Sequence, residues 1–170
     1  MKKITKELFP YIIIIIVVVL IRSYIVTPVI VSGDSMVPTL DDKQILLLNK
    51  IDYRFNEIKR NDIVVIKVGK SEIIKRIIGL PGETIEYRNN ILYINGHEYK
   101  TDYNFDTEDF TLKSICNCET IPKDKYFVLG DNRAVSSDSR IIGLIDRKDI
   151  KGKTTISIWP MKKIKYQLSK

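Results

Sequence analysis

Two short segments carry residue types that chemistry explains better than folding does. Ser35 lies in Val31-Ser32-Gly33-Asp34-Ser35-Met36-Val37-Pro38-Thr39-Leu40, and Lys75 in Ile73-Ile74-Lys75-Arg76-Ile77-Ile78-Gly79-Leu80-Pro81-Gly82. A lysine flanked by isoleucines is costly to bury, because burial disfavours its charged form. Made neutral, its amine becomes a usable general base, and beside a serine it gives the Ser-Lys variant of nucleophilic catalysis. The chain has a single histidine, His97, in a polar turn, so a Ser-His-Asp triad is a poor fit.

Alternation along a strand puts Ile73, Lys75 and Ile77 on one face and Ile74, Arg76 and Ile78 on the other. If either face is core, one of two adjacent cations sits among isoleucines. The competing reading is an edge strand whose Lys75 and Arg76 both snorkel to water. On the opposite strand face, Arg76 is expected to tolerate lysine much better than Lys75 tolerates arginine. A third segment, Gly130-Asp131-Asn132-Arg133-Ala134-Val135-Ser136-Ser137-Asp138-Ser139-Arg140, packs acids, amides, hydroxyls and arginines together. It reads equally as a polar loop held by Asp–Arg pairs or as the source of a hydroxyl that orients a neutral lysine. Cys116 and Cys118 form a lone C-x-C. With one distant histidine they do not make a four-ligand zinc site, and a disulfide between them would close a very small, strained ring. They read as structural or incidental, and no metal or cofactor is expected.

The elements that must position these residues begin with an apolar run. Residues 8 to 21 hold no charged side chain, and residues 12 to 19 are unbroken Ile and Val. Residues 8 to 26 would span roughly 28 Å as a helix, close to a bilayer core. Arg22 can snorkel at the outer end. The alternative, a cleaved secretory signal peptide starting at Lys2, Lys3 and Lys6, lacks a small-x-small cleavage site after Arg22. The expected layout is a cytoplasmic tail at 1–7, a single transmembrane anchor at 8–26 and an extracytoplasmic domain at 27–170. The positive-inside rule sets that orientation.

The net charge is +7, from 28 Lys+Arg against 21 Asp+Glu in 170 residues. The basic residues are dispersed, which argues against nucleic acid. A denser group near the C-terminus (Lys148, Lys151, Lys153, Lys162, Lys163, Lys165 and Lys170) suits either an anionic lipid bilayer or a solvated charged face.

After the anchor the pattern is short β-type runs separated by polar turns, with no long helical period. The fold class expected is mainly β: an antiparallel β-sheet catalytic ectodomain behind the transmembrane helix. Candidate strands cover 44–50, 62–68, 72–78, 84–87, 91–94, 126–129, 141–146 and 154–158. Asn89-Asn90 and Asn95-Gly96 supply tight turns. Residues 84–123 read as an inserted hairpin or subdomain.

In order along nearly the whole chain, the sequence resembles a bacterial type I signal peptidase (leader peptidase) of the compact, Gram-positive-like, Ser-Lys kind. The resemblance rests on the apolar N-terminus, S-G-x-S-M-x-P-T-L at 32–40 and D-I-V-V at 62–65. It continues with K-R-I-I-G-L-P-G at 75–82, G-D-N-R-x-x-S-x-D-S-R at 130–140 and Trp159-Pro160. It implies that Ser35 is the nucleophile and Lys75 its base, with Ser136 hydrogen-bonding the lysine. It further implies that Asp138 and Arg140 form a structural ion pair and that Met36 packs beside the site. Gly33 stands where some members carry a serine whose hydroxyl helps hold the oxyanion. The hole would then rest on main-chain N–H groups, including that of Ser35; Ser32 is not at that position. Glu83 replaces a commoner Asp, and Asn61 a commoner Gly. The implied activity is membrane-bound cleavage of N-terminal signal peptides from secretory preproteins. The substrate, with small residues before the cut, would bind as an added strand. Two other functions share parts of the pattern: a Ser-Lys self-cleaving regulator-type protease, and a non-catalytic membrane-anchored β module.

Overall fold

The computed structural model describes residues 2–100 and 106–160. A helix, α1 (Lys2–Tyr24), leads into β1 (Val26–Ile30), β2 (Ile45–Asn49) and a short helix α2 (Asp52–Phe55). Then come β3 (Ile63–Val68), β4 (Ser71–Gly79), β5 (Ile85–Arg88), β6 (Ile91–Ile94) and β7 (His97–Tyr99). The remainder is β8 (Phe110–Thr111), α3 (Leu112–Cys116), β9 (Lys125–Leu129), α4 (Ser139–Ile142), β10 (Ile145–Asp146) and β11 (Ile150–Trp159).

Seven strands form one antiparallel sheet in the order β1-β2-β11-β3-β4-β9-β10. Four form a second, β7-β6-β5-β8, also antiparallel. The hydrophobic alternation explains the pairing: Leu46 and Leu48 of β2 are buried while their neighbours are half-exposed. The β5–β6 and β6–β7 hairpins close through Asn89-Asn90 and Asn95-Gly96, all four with positive φ, as tight hairpin turns require. The small sheet falls in the stretch expected to be an insertion, yet it shares a core with the large one. Ile85, Tyr87 and Leu92 pack with Phe127 and Leu129 of β9 in one buried cluster.

Several elements differ from expectation for identifiable reasons. The run at 141–146 is not one strand. Asp138 accepts a hydrogen bond from the Arg140 N–H and starts the turn of α4, Gly143 (φ 77°) ends it, and only Ile145–Asp146 pairs with β9. The strand expected at 154–158 is the end of the longer β11. That strand begins earlier because Gly152 lets it approach β2 closely: a Cβ there would lie 2.3 Å from the Asn49 carbonyl oxygen. Val26 lies in β1 rather than in the helix, and Pro28 sits in an edge strand, where its missing N–H costs nothing.

Cys116 and Cys118 are disulfide-bonded. The small ring closes because Asn117 turns left-handed (φ 51°) at the end of α3, bringing the two Cα atoms within 5.2 Å. Lys153 is not a lipid-facing cation, since it pairs with buried Asp62. Lys162, Lys163, Lys165 and Lys170 lie outside the described residues.

The described side chains of α1 are exposed, including every apolar one from Leu8 to Ile21. Among the described residues no helix is both long and apolar enough to cross a membrane.

Candidate active site

Ser35 sits in the loop between β1 and β2, and that loop is fixed from both sides. Gly33 takes φ 82°, and its N–H donates to Asp42 Oδ1 at 2.8 Å. The Leu40 N–H donates to the Met36 carbonyl at 2.9 Å, forming a helical turn just after the serine. Met36 and Leu40 are at most 1 % exposed, packed with Leu46, Val65 and Ile74. Apolar anchors thus flank the serine on its C-terminal side. The Ser35 carbonyl accepts from the Asn132 N–H at 3.0 Å, tying it to the 130–140 loop. Its own N–H donates to no acceptor among the described residues.

Lys75 comes from β4, with Val64 of β3 opposite it. It is 3 % exposed, and its Nζ lies 2.7 Å from Ser35 Oγ. Burial lowers the lysine pKa below its ordinary 10.5, outweighing the opposing attraction of Asp138 and Asp131. Neither cation snorkels: Arg76 is also 3 % exposed. Its Nε and Nη2 donate to Asp131 Oδ1 and Oδ2 at 2.8 and 2.7 Å, and its Nη1 to the Asn61 carbonyl at 3.0 Å. The two adjacent cations therefore meet burial differently. Arg76 stays paired through a bidentate fork, while Lys75 faces a hydroxyl.

The 130–140 loop holds this pair in register. Asp138 is fully buried, accepts from the Gly130 N–H at 3.0 Å and binds Arg140 through both oxygens. Arg140 also donates to the Arg133 carbonyl at 2.7 Å. A Cβ on Gly130 would lie 2.2 Å from Ser136 Oγ and 2.5 Å from the Ser35 carbonyl oxygen, so only glycine fits between the two serines. Ser136 Oγ is buried and has no hydrogen-bond partner among the described residues, Lys75 included.

Sequence reasoning missed Arg133. It donates to the Gly130 carbonyl within the loop, to Thr107 Oγ1, and to the Tyr87 hydroxyl of β5, which ties the loop to the small sheet. It also missed Asp131 as the counter-ion of Arg76; both residues lie in the G-D-N-R box, whose density of polar groups was the available signal.

A cleft of about 190 Å³, lined by both apolar and polar side chains, opens beside Ser35. Val29, Ile30 and Val31 line one side and Ile73 and Ile74 the other, with Met36 also in its wall. Both sides present unpaired strand edges. Among the described residues β1 pairs only with β2, and β4 meets β9 only from Arg76 onward, which leaves residues 71–75 unpaired on that side. Among the described residues no group of three or more His, Cys, Asp or Glu could hold a metal ion.

A hydroxyl against a buried amine, beside a cleft with open strand edges, is an arrangement that can support Ser-Lys nucleophilic catalysis. The comparisons with known proteins give the family. The model of the signal peptidase family, peptidase S26, matches residues 4–159, and the chain belongs to this family. It is 37% identical over 183 residues to signal peptidase IB of Staphylococcus aureus (strain MRSA252), covering 96% of each chain. It is 37% identical over 170 residues to signal peptidase I of Bacillus caldolyticus, covering 94% of this chain and 93% of that one. A crystal structure of a signal peptidase I from Enterococcus faecalis V583 superposes with a TM-score of 0.54 at 38% identity. It covers 58% of this chain and 97% of that one, a likeness consistent with the mainly antiparallel β architecture.

Proposed function

We propose that this member of the family is a membrane-anchored endopeptidase that removes signal peptides from exported preproteins, with Ser35 as nucleophile and Lys75 as general base. The observation that carries the assignment is the 2.7 Å contact between Ser35 Oγ and a buried Lys75 amine whose pKa burial lowers. Neutral Lys75 accepts the Ser35 proton as Oγ bonds to the carbonyl carbon. The oxyanion that forms is held by main-chain N–H groups, among them the unengaged one of Ser35. Lys75 then passes its proton to the leaving amine as the C–N bond breaks. Water, deprotonated by the same amine, hydrolyses the ester and restores the serine.

The residues before the cut lie along the cleft, hydrogen-bonded to the free edges of β1 and β4. Its Val and Ile walls favour small side chains next to the scissile bond. Asp138 and Arg140 support the lysine's surroundings, Met36 packs beneath the serine, and Gly33 shapes the loop. The anchor reading is supported by the exposed, uncharged face of α1 over residues 8–21. An extracytoplasmic domain is supported by the Cys116–Cys118 disulfide, a bond that persists in oxidising compartments. Anionic lipid is the surface such an anchor would meet.

The test is cleavage of a preprotein by purified protein carrying Ser35→Ala or Lys75→Arg. Both should fall to background, since an arginine keeps the charge but cannot deprotonate. Near-normal turnover by either variant would remove that residue from its role.

A further inference from the structure

The cleft holds one charged side chain besides Lys75, and the proposed chemistry gives it no task. Glu72 lines the cleft together with Ile73, Ile74 and Ser35. It is exposed and forms no ion pair among the described residues, although Lys67 stands opposite it in the β3–β4 register. Lys75 must be neutral to act as base. Among the described residues, Glu72 is then the only formal charge a substrate meets along these walls.

Its position can be translated into a substrate position. Glu72 precedes Lys75 by three strand residues, about 10 Å. A peptide strand seated on the free edge of β4 has the same rise, so its residue beside Glu72 lies three places from the one beside the dyad. The apolar walls between them suit the small side chains before the cut, so the peptide runs toward Glu72 on its N-terminal side.

Resting on the cleavage reaction and substrate direction given above, we propose that Glu72 selects substrates by charge. It favours a basic side chain, and disfavours an acidic one, three residues before the residue whose carbonyl Ser35 attacks. Signal peptides with lysine or arginine at that place are the class it prefers. Because the carboxylate is exposed, the selection is modest and screened by salt.

The experiment uses the full chain in lipid vesicles and one preprotein carrying Lys, Gln or Glu at that position, with kcat/KM measured for each. The wild type should prefer Lys over Glu about three- to ten-fold at low salt, consistent with exposed charge pairs. Glu72→Gln should flatten the series, and Glu72→Lys should invert it. A second preprotein series, with the same residues three places after the cut, should not respond to the Glu72 variants. A Lys-to-Glu ratio unchanged in Glu72→Lys, or a response confined to the second series, overturns the proposal. Failure of the underlying cleavage reading looks different: no preprotein is processed by the wild type, or Ser35→Ala processes them as well.

Discussion

A buried hydroxyl without a partner costs about 1–3 kcal/mol, and Ser136 carries such a group beside the proposed nucleophile. Its neighbour Ser137 is exposed to water. If the Ser136 hydroxyl swings to the Lys75 amine when substrate binds, Ser136→Ala should cut turnover about ten-fold or more, within the range general-base catalysis supplies. Stability should be unchanged or slightly raised, because the orphan group is gone. Ser137→Ala should do little to either. Turnover numbers and thermal midpoints for the two variants check this, and equal losses at both positions would contradict it. The difference between these serines is barely visible in a run of small polar residues. Ser35 and Lys75 were more legible, since a lysine between isoleucines is expensive wherever it packs. The partner of Arg76 was not legible: nothing local says that Asp131, 55 positions away, closes a fork on it.

At the scale of elements, β4 meets the 130–140 loop through a buried ion pair, and Gly130 lets that loop pack against Ser35. Arg76→Ala should cost about 3–5 kcal/mol by stranding the buried Asp131 carboxylate. Arg76→Lys keeps the charge but loses the bidentate fork, and should cost about 1–3 kcal/mol. Urea midpoints at constant m-value measure both. Gly130→Ala forces a methyl against the Ser35 carbonyl and Ser136 Oγ, so it should lower turnover as well as stability. Strands with strong β-branched content, such as β3 and β4, were readable from pattern alone. The run at 141–146 was not, because an Asp cap and a glycine outvote β-branched propensity there. β1 was hidden by Pro28, which only an edge position permits.

For the whole molecule, the end of α1 is fastened to the β body at several points. The Thr27 hydroxyl donates to the Arg22 carbonyl at 2.8 Å, Lys50 Nζ to the Ser23 carbonyl at 3.3 Å, and the Arg54 guanidinium lies over the Tyr24 ring. These contacts fix how the sheet leaves the helix. Removing residues 1–24 should release the protein from the membrane fraction, while Ser35 and Lys75 still cleave a short soluble peptide. Sedimentation with vesicles and a peptide assay check both parts; membrane association unaffected by the deletion would contradict the anchor. The helix α1 was legible as an apolar run, whereas the shared core between the two sheets was not. The residues forming it, from Ile78 to Leu129, are scattered along the chain.

The Ser35–Lys75 pair is tested most directly by the pH dependence of kcat/KM for one preprotein. A lysine base works only when neutral, so the rate should rise with pH through the Lys75 pKa. Burial lowers that pKa, so the limb should lie clearly below the ordinary 10.5 and should vanish with activity in Ser35→Ala and Lys75→Arg. A limb at the value of an exposed lysine, or an unchanged limb in Lys75→Arg, would contradict a buried lysine acting as the base.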